Sequence, residues 1–265
     1  MSIVREKIES VNKQNEKALT VFLTSGYPNP EKFIDLVFAV EKAGADIIEI
    51  GLPFGDSLAD GPVVQASYIE ALKHNINIDK TLKFISEVKS KIDVPIILMS
   101  SSNPILHYGK KMFCNEALQA KIDGFIIPDV PLEEYDDFFD DEFNLFDKIM
   151  LTTPTSSKQR ITDIDNLSKG FVYCVSVVGT TGIRNNFDRY VFENLERTYM
   201  TVKKNKMQIG FGISNGENVK QFAPYCDGVI VGSAIIKSLS DDDAHYSKTV
   251  KLIRELKSAC KSWII

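Results

Sequence analysis

The sequence predicts a closed (β/α)₈ barrel, the TIM-barrel fold. Short apolar runs alternate along the whole chain with segments of helical spacing, and eight such runs fit into the 265 residues. Each run is apolar through most of its length, as expected for a parallel strand covered on both faces. Barrels of this kind commonly fill about 250 residues as one domain. We therefore expect residues 1–265 to form a single barrel domain, with an open, doubly wound sheet as the alternative.

The apolar runs define the predicted strands, which are residues 19–24, 46–50, 95–99, 124–127, 148–151, 171–176, 208–210 and 228–231. The segment after each strand has helical spacing. Between the first two strands, apolar residues recur at i, i+3, i+4 and i+7 in Phe33, Leu36, Val37 and Val40. The spacing of apolar residues within 1–14 predicts an extra amphipathic helix before the barrel.

Residues 133–142 form the one dense acidic stretch of the chain. Its aromatic residues, Tyr135, Phe138 and Phe139, recur at i, i+3 and i+4, which is a helical spacing. We interpret this stretch as a solvated helix with an aromatic inner face, and not as a metal site.

Composition narrows the classes of function. The net charge is -5 and no strong basic patch occurs, so nucleic acid and anionic membranes are not expected as partners. No signal peptide or membrane-spanning run is recognisable, and the four cysteines are scattered. We expect a cytoplasmic protein with reduced thiols.

Two kinds of catalysis find no support in the sequence. None of the three histidines ends a predicted strand, so a histidine-rich metal site is not expected. The sixth predicted strand contains no lysine, so a Schiff base at that position is not expected either. We predict chemistry without a metal and without a covalent intermediate.

The second predicted strand points to a catalytic carboxyl group. In TIM barrels the active site lies at the carboxyl ends of the strands. Alternation places Ile47 and Glu49 on one strand face, so Glu49 lies at the barrel mouth if Ile47 points inward. Burial there should raise the pKa of Glu49 and let it act as both acid and base. The alternative is a structural glutamate in an ion pair, but neighbouring strand residues offer no cation.

The loop that follows, residues 51–62, is long and contains Asp56 and Asp60. Long ordered loops are usually functional. Asp56 also fits an ordinary turn. Asp60 also fits the N-cap of a helix that begins with Pro62, and this role is compatible with catalysis.

Glycine-rich loops follow the last strands. Residues 210–214 and 232–235 occupy the usual phosphate site of the barrel, and a helix that begins near Ser233 would direct free N–H groups at an anion. The loop of residues 179–185 has the composition of a lid. The sequence thus predicts a small phosphorylated substrate.

Together these segments resemble the tryptophan synthase α subunit over the whole chain. The most specific segment is residues 48–65, IEIGLPFGDSLADGPVVQ. Supporting segments are FLTSGYP (22–28), PDVPLE (128–133), GTTG (179–182), GFGIS (210–214) and GSA (232–234).

The resemblance implies a carbon–carbon lyase that cleaves indole-3-glycerol phosphate to indole and glyceraldehyde 3-phosphate. Glu49 matches the family's proton-transfer glutamate, and Asp60 matches the aspartate that binds the indole N–H. Thr181 matches the lid threonine that contacts this aspartate. The remaining substrate-binding positions implied by the resemblance are Phe22, Tyr173, Gly182, Phe211, Gly212, Gly232 and Ser233.

The resemblance also implies a partner, a pyridoxal-phosphate (PLP) β subunit that joins the indole to serine in an α₂β₂ assembly. This chain would itself hold no PLP and no metal. Asp56, Asn103 and Pro104 match the surface that contacts the β subunit.

Three positions depart from the family pattern. Gly55 stands where the family usually has serine, Ser57 where it has proline, and Ser101 where tyrosine is common. The first two changes should loosen the loop, and the third should enlarge or wet the site.

Three alternatives remain on the sequence alone. The chain would be a free-standing lyase, a catalytically weakened activator of the β subunit, or another phosphate-binding barrel such as an isomerase of the same pathway.

Overall fold

In the computed structural model, which describes residues 2–57, 60–176, 188–243 and 245–263, parallel strands form a closed barrel. Each strand pairs with its neighbours in chain order, and the last strand pairs with the first through Ala18 opposite Gly228. The strands are β1 Ala18–Thr24, β2 Ile47–Gly51, β3 Ile96–Met99, β4 Gly124–Ile126, β5 Asp147–Thr152, β6 Phe171–Val175, β7 Lys206–Gly210 and β8 Gly228–Val231. The predicted barrel is therefore confirmed, and the open sheet is not observed.

Helices follow the strands and cover the outside of the barrel. The α-helices are α1 Ile3–Asn12, α2 Phe33–Ala43, α3 Pro62–Lys73, α4 Ile78–Lys89, α5 Ser102–Tyr108, α6 Lys110–Gln119, α7 Tyr135–Phe138, α8 Lys158–Leu167, α9 Arg189–Thr201, α10 Gly216–Phe222, α11 Ser233–Ser240 and α12 Ser247–Lys261. Short 3₁₀ turns lie at Pro30–Lys32, Leu132–Glu134, Asp141–Phe143 and Ala223–Tyr225.

The apolar spacing predicted for α2 is the face that packs on the barrel. Phe33, Leu36, Val37 and Val40 are fully buried in the main hydrophobic cluster between helices and strands. Gly44 ends the helix in the left-handed region, with φ 116°.

The acidic stretch differs from its prediction in one respect. Its aromatic side chains, Tyr135, Phe138 and Phe139, are buried as predicted, with 6–7% of their surface exposed. The backbone, however, forms separate short turns around α7 and not one helix. Phe139 leaves the helical region at the C-cap of α7, with ψ 68°.

The extra N-terminal helix α1 closes the floor of the barrel. Its buried residues Val4, Ile8 and Val11 belong to the second hydrophobic cluster, which contains the inward-facing strand residues Ile47 and Ile97. The Ser2 side chain caps the helix by accepting a hydrogen bond from the Arg5 N–H at 3.0 Å. The amphipathic spacing of the first residues therefore predicted the helix and most of its buried face, although the apolar Ile3 is 55% exposed. With the floor covered, the carboxyl ends of the strands form the open end.

None of the helices in these ranges combines the length and the apolar character needed to cross a membrane. The four cysteines are buried free thiols.

Candidate active site

Glu49 lies inside the barrel near its mouth. It is the third residue of β2, paired with Phe22 of β1 on one side and with Ile97 of β3 on the other. It alternates with Ile47, which belongs to the interior cluster, and only 1% of Glu49 is exposed. The inward orientation predicted from strand alternation is therefore what the structure shows.

The surroundings of Glu49 favour its protonated form. Burial is the larger cause and the charge of Asp60 the second, and together they raise the pKa of Glu49 to about 8. Its Oε2 atom is buried and has no hydrogen-bond partner among the described residues. None of the described residues that line the pocket is a lysine, arginine or histidine. The alternative of a structural, ion-paired glutamate thus finds no partner in this part of the chain.

Asp60 lies on the loop after β2 and is 8% exposed. The Ser57 hydroxyl donates a hydrogen bond to Oδ2 of Asp60. Burial raises the pKa of Asp60, and the hydrogen bond from Ser57 opposes that rise. Two carboxyl groups therefore border one pocket, and their environments differ, which can give two carboxyl groups different acidities.

The helix cap proposed for Asp60 is wrong. Gly61 occupies the N-cap of α3, and Pro62 is its first residue as predicted. The Asp60 carboxyl group accepts a hydrogen bond from Ser57 and borders the pocket, so it does not cap the helix.

Glu49 and Asp60 share a pocket whose walls are largely aromatic and aliphatic. Phe22, Tyr173 and Phe211 line it, and the rings of Tyr173 and Phe211 meet edge to face at 6.2 Å between centroids. Apolar side chains complete the wall: Val64, Met99, Ile126, Pro128, Leu151, Ile213 and Ile230. An apolar cleft with a few convergent polar groups is typical of a site for a small, flat organic molecule.

That these additional apolar residues line the site was not predicted from the sequence. Met99, Ile126 and Leu151 lie at or near the carboxyl ends of β3, β4 and β5. The strand alternation that identified Glu49 was the signal that could have identified them too.

The rim of the pocket consists of glycine-rich backbone and the start of a helix. Gly212, Gly232 and Ser233 line it, and α11 begins at Ser233 with Gly232 as its N-cap. The first turn of α11 contains no acidic residue. Phe211 and Gly212 have φ of 74° and 77°, so the backbone turns sharply at this rim. The first N–H groups of a helix lack intrahelical partners and attract phosphate. The helix predicted near Ser233 is confirmed.

Two predicted substrate-binding residues, Thr181 and Gly182, lie outside the described residues, as does the predicted lid of residues 179–185. Their assignments stay predictions. Within the described ranges, no three His, Cys, Asp or Glu side chains are grouped as a metal site requires.

A second, more polar chamber of about 180 Å³ adjoins Asp60. It shares Asp60, Met99 and Pro128 with the apolar pocket. Its polar lining consists of Asp56, Ser57, Asp60, Tyr68, Ser100, Ser101, Asn103 and Asp129. Ser101 lines this chamber. A serine side chain fills less of it than the tyrosine that is common at this position in the resembling family.

The residues predicted to contact a partner lie together on one side of the barrel mouth. Asp56 and Asn103 line the polar chamber. Asn103 and Pro104 also line an open groove with Pro53, Phe54 and Leu106. Leu106 is 51% exposed, so this surface offers apolar contact.

Comparison with known proteins found matches that span nearly the whole chain. A family described as "Tryptophan synthase alpha chain" matches residues 8–263. The tryptophan synthase alpha chain of Petrotoga mobilis is 37% identical over 260 residues, which are 97% of this chain and 99% of that protein. The corresponding protein of a Thermoanaerobacter species is 38% identical over 264 residues, covering 99% of this chain and 98% of its own.

Among solved structures, the tryptophan synthase subunit alpha of Legionella pneumophila superposes with a TM-score of 0.87 at 30% identity, over 98% of each chain. Mycobacterium tuberculosis tryptophan synthase gives a TM-score of 0.89 at 28% identity, again over 98% of each chain.

Proposed function

The chain belongs to the tryptophan synthase alpha chain family, and from this premise we propose that it cleaves indole-3-glycerol phosphate to indole and glyceraldehyde 3-phosphate. One observation carries the proposal: the buried Oε2 of Glu49 has no partner among the described residues and borders an apolar pocket. A buried carboxyl oxygen without a partner costs free energy, so it is retained where a ligand or a reaction uses it.

The pocket suits the two ends of this substrate. The rings of Phe22, Tyr173 and Phe211 offer aromatic surface to the flat indole. The N-terminus of α11, with Gly212, Gly232 and Ser233 around it, offers N–H dipoles to the phosphate. Because the pocket-lining residues in the described ranges include no positively charged side chain, we assign phosphate binding there to the backbone.

The first proton step falls to Glu49. Its pKa of about 8 leaves it mostly protonated at neutral pH, so it can donate a proton to indole C3. Protonation places a positive charge on the ring, partly on the indole nitrogen. We assign stabilisation of that charge to the ionised Asp60, which would accept the N–H hydrogen bond.

The second proton step completes the cycle. The glutamate, now ionised, accepts the proton of the hydroxyl group on the carbon attached to the ring. That carbon becomes the aldehyde carbon as its bond to indole C3 breaks, and the bonding electrons return to the ring. Glu49 thus gives one proton and regains one, so the two products leave with the enzyme unchanged.

The proposal extends to a partner. We propose that the surface of Asp56, Asn103 and Pro104 contacts a PLP-dependent β subunit, which receives the indole in an α₂β₂ assembly. The exposed Leu106 beside Pro104 supports an interface here.

The test is a product assay. The purified chain is incubated with indole-3-glycerol phosphate, alone and with the β subunit from the same source, and both products are measured. We expect equal amounts of indole and glyceraldehyde 3-phosphate, at a rate that the β subunit increases. Light scattering of the mixture should show a complex of both chains.

Other outcomes identify the alternatives. Full activity without any complex would indicate a free-standing lyase. Stimulation of the β reaction without indole release would indicate an activator that has lost its chemistry. Failure to bind this substrate, with binding of another sugar phosphate, would contradict the proposal.

A further inference from the structure

We propose that Ser57 is a positioning residue that holds one oxygen of Asp60 away from the pocket, so that the other faces the indole N–H. The inference rests on the proposed function, because it assigns Asp60 to the substrate. It concerns a residue that differs from the family pattern, in which proline is usual at this place.

The contact between Ser57 and Asp60 is a direct hydrogen bond that is largely shielded from solvent. The Ser57 hydroxyl donates to Oδ2 of Asp60, and the two residues are 7% and 8% exposed. Hydrogen bonds to a charged group are stronger than those between neutral groups, especially away from water. A proline at this position has no hydroxyl group and could not make the bond.

The backbone of Ser57 is fixed from two sides. Its carbonyl oxygen accepts a hydrogen bond from Nε2 of Gln65, on α3, at 2.9 Å. It also accepts one from the backbone N–H of Asp60 at 3.4 Å. The donor is therefore tied to a regular helix, which is what precise positioning of a reactive group requires.

The residues that line the two cavities indicate on which side of Asp60 its hydrogen bond with Ser57 lies. Asp60 borders both the apolar pocket and the polar chamber, whereas Ser57 borders only the chamber. The oxygen that Ser57 holds, Oδ2, therefore lies toward the chamber, and we assign Oδ1 to the substrate. Without the donor, the carboxylate would be free to rotate, and Oδ1 would no longer be held facing the pocket.

The groups around Asp60 are acidic, so a hydrogen-bond donor beside it helps to stabilise its ionised form. Glu49 on β2, Tyr68 on α3 and Tyr173 on β6 each interact electrostatically with it. Asp56 and Asp129 line the chamber beside it. None of these five groups is a cation that would favour the ionised form of Asp60, and burial raises the pKa of Asp60. The Ser57 hydroxyl is thus a donor in surroundings that otherwise discourage the ionised form needed for catalysis.

The experiment compares Ser57→Ala and Ser57→Thr with the wild-type chain, each in complex with the β subunit. Indole release from indole-3-glycerol phosphate is measured as kcat/KM against pH. We expect Ser57→Ala to lower kcat/KM by about 10- to 100-fold, the range for a hydrogen bond to a charged group. The acid limb of its profile should move to higher pH, because Asp60 without its donor takes up a proton more readily. Ser57→Thr keeps the hydroxyl group, so its kcat/KM and the position of its acid limb should match those of the wild type.

Ser101→Ala serves as the matched control. It removes a serine hydroxyl from the wall of the same chamber, where the described contacts include no bond to Asp60. Its pH profile should match the wild type, and thermal melting of all variants shows whether each one is folded. A Ser57→Ala chain with wild-type kcat/KM and an unmoved acid limb would overturn the inference.

A second measurement does not depend on catalysis. The carboxyl carbon of Asp60 is titrated by NMR in the wild-type and Ser57→Ala chains without substrate. We expect a higher midpoint in the variant, and an equal midpoint would overturn the inference. A wild-type chain that releases no indole would instead contradict the proposed function, so the two failures are distinguishable.

Discussion

The Tyr173 hydroxyl oxygen lies 2.2 Å from the point that a Cβ atom on Gly210 would occupy. Gly210 is the last residue of β7, and Tyr173 is on the adjacent strand β6, where its ring lines the pocket. Real Cβ atoms do not approach other atoms so closely, so any side chain at position 210 would displace the tyrosine ring. The missing side chain of Gly210 thus shapes the wall against which we place the indole.

The first prediction concerns this contact. Gly210→Ala should destabilise the protein by about 1–3 kcal/mol, the usual cost of overpacking. It should also lower kcat/KM for indole release at least about tenfold, since a small displacement at a reacting site is costly. Gly55→Ala is the control, because no atom of the described chain lies within 4 Å of a Cβ there. That control should leave stability unchanged or raise it by up to about 1 kcal/mol. Equal effects of the two changes would refute the role of Gly210.

The second prediction is that Glu49→Gln stabilises the protein at alkaline pH. The pKa of Glu49 is 4.5 in an unperturbed chain and about 8 in the folded protein. A raised folded pKa means that stability is present below pH 4.5 and lost as pH rises to about 8. The full effect is about 5 kcal/mol. Because glutamine does not titrate, the variant escapes this loss.

Denaturant unfolding of both chains at pH 5, 7 and 9 measures the difference. The variant should gain stability over the wild type with each step in pH. A difference that stays constant with pH would mean that burial does not perturb Glu49 in the folded protein.

The third prediction concerns the coupling of the two carboxyl groups. Asp60 is the second cause of the raised pKa of Glu49, so Asp60→Asn should lower the pKa of Glu49 below about 8. NMR titration of the Glu49 carboxyl carbon in the isolated chain measures it directly. Asp56→Asn is the control and should leave the midpoint unchanged, because Asp56 lines the polar chamber but not the pocket that contains Glu49. An unmoved midpoint in the Asp60 variant would show that the groups do not interact.

Much of the fold could be predicted because apolar runs encode buried strands. The eighth strand, Gly228–Val231, was predicted to the residue, and the others to within one or two residues. β7 begins two residues before its prediction, because Lys206 pairs with Phe171 of β6 through its backbone. Backbone pairing does not depend on an apolar side chain, so hydrophobicity alone cannot locate such an end.

For the candidate site too, the sequence allowed prediction where the backbone is regular and not where it is irregular. Alternation along β2 placed Glu49 on the same face as Ile47, since the period of a strand is fixed, and the structure shows that this face points into the barrel. The surroundings of Asp60 were not predictable, because its loop has no regular period. Gly61 is the N-cap of α3, a position that the sequence also allowed for Asp60, and the bond from Ser57 depends on how the loop folds. Which cavity Asp60 borders is likewise a property of the folded chain.

Whether Glu49 transfers the proton is tested by comparing Glu49→Gln with the wild-type chain in the complex with the β subunit. Binding of indole-3-glycerol phosphate is measured by calorimetry, and indole release is measured in a single turnover. We expect the variant to bind the substrate with an unchanged or slightly altered Kd but to release indole about 100- to 10,000-fold more slowly, as expected for loss of a general acid–base group. Release at the wild-type rate by a variant that binds normally would contradict proton transfer by Glu49.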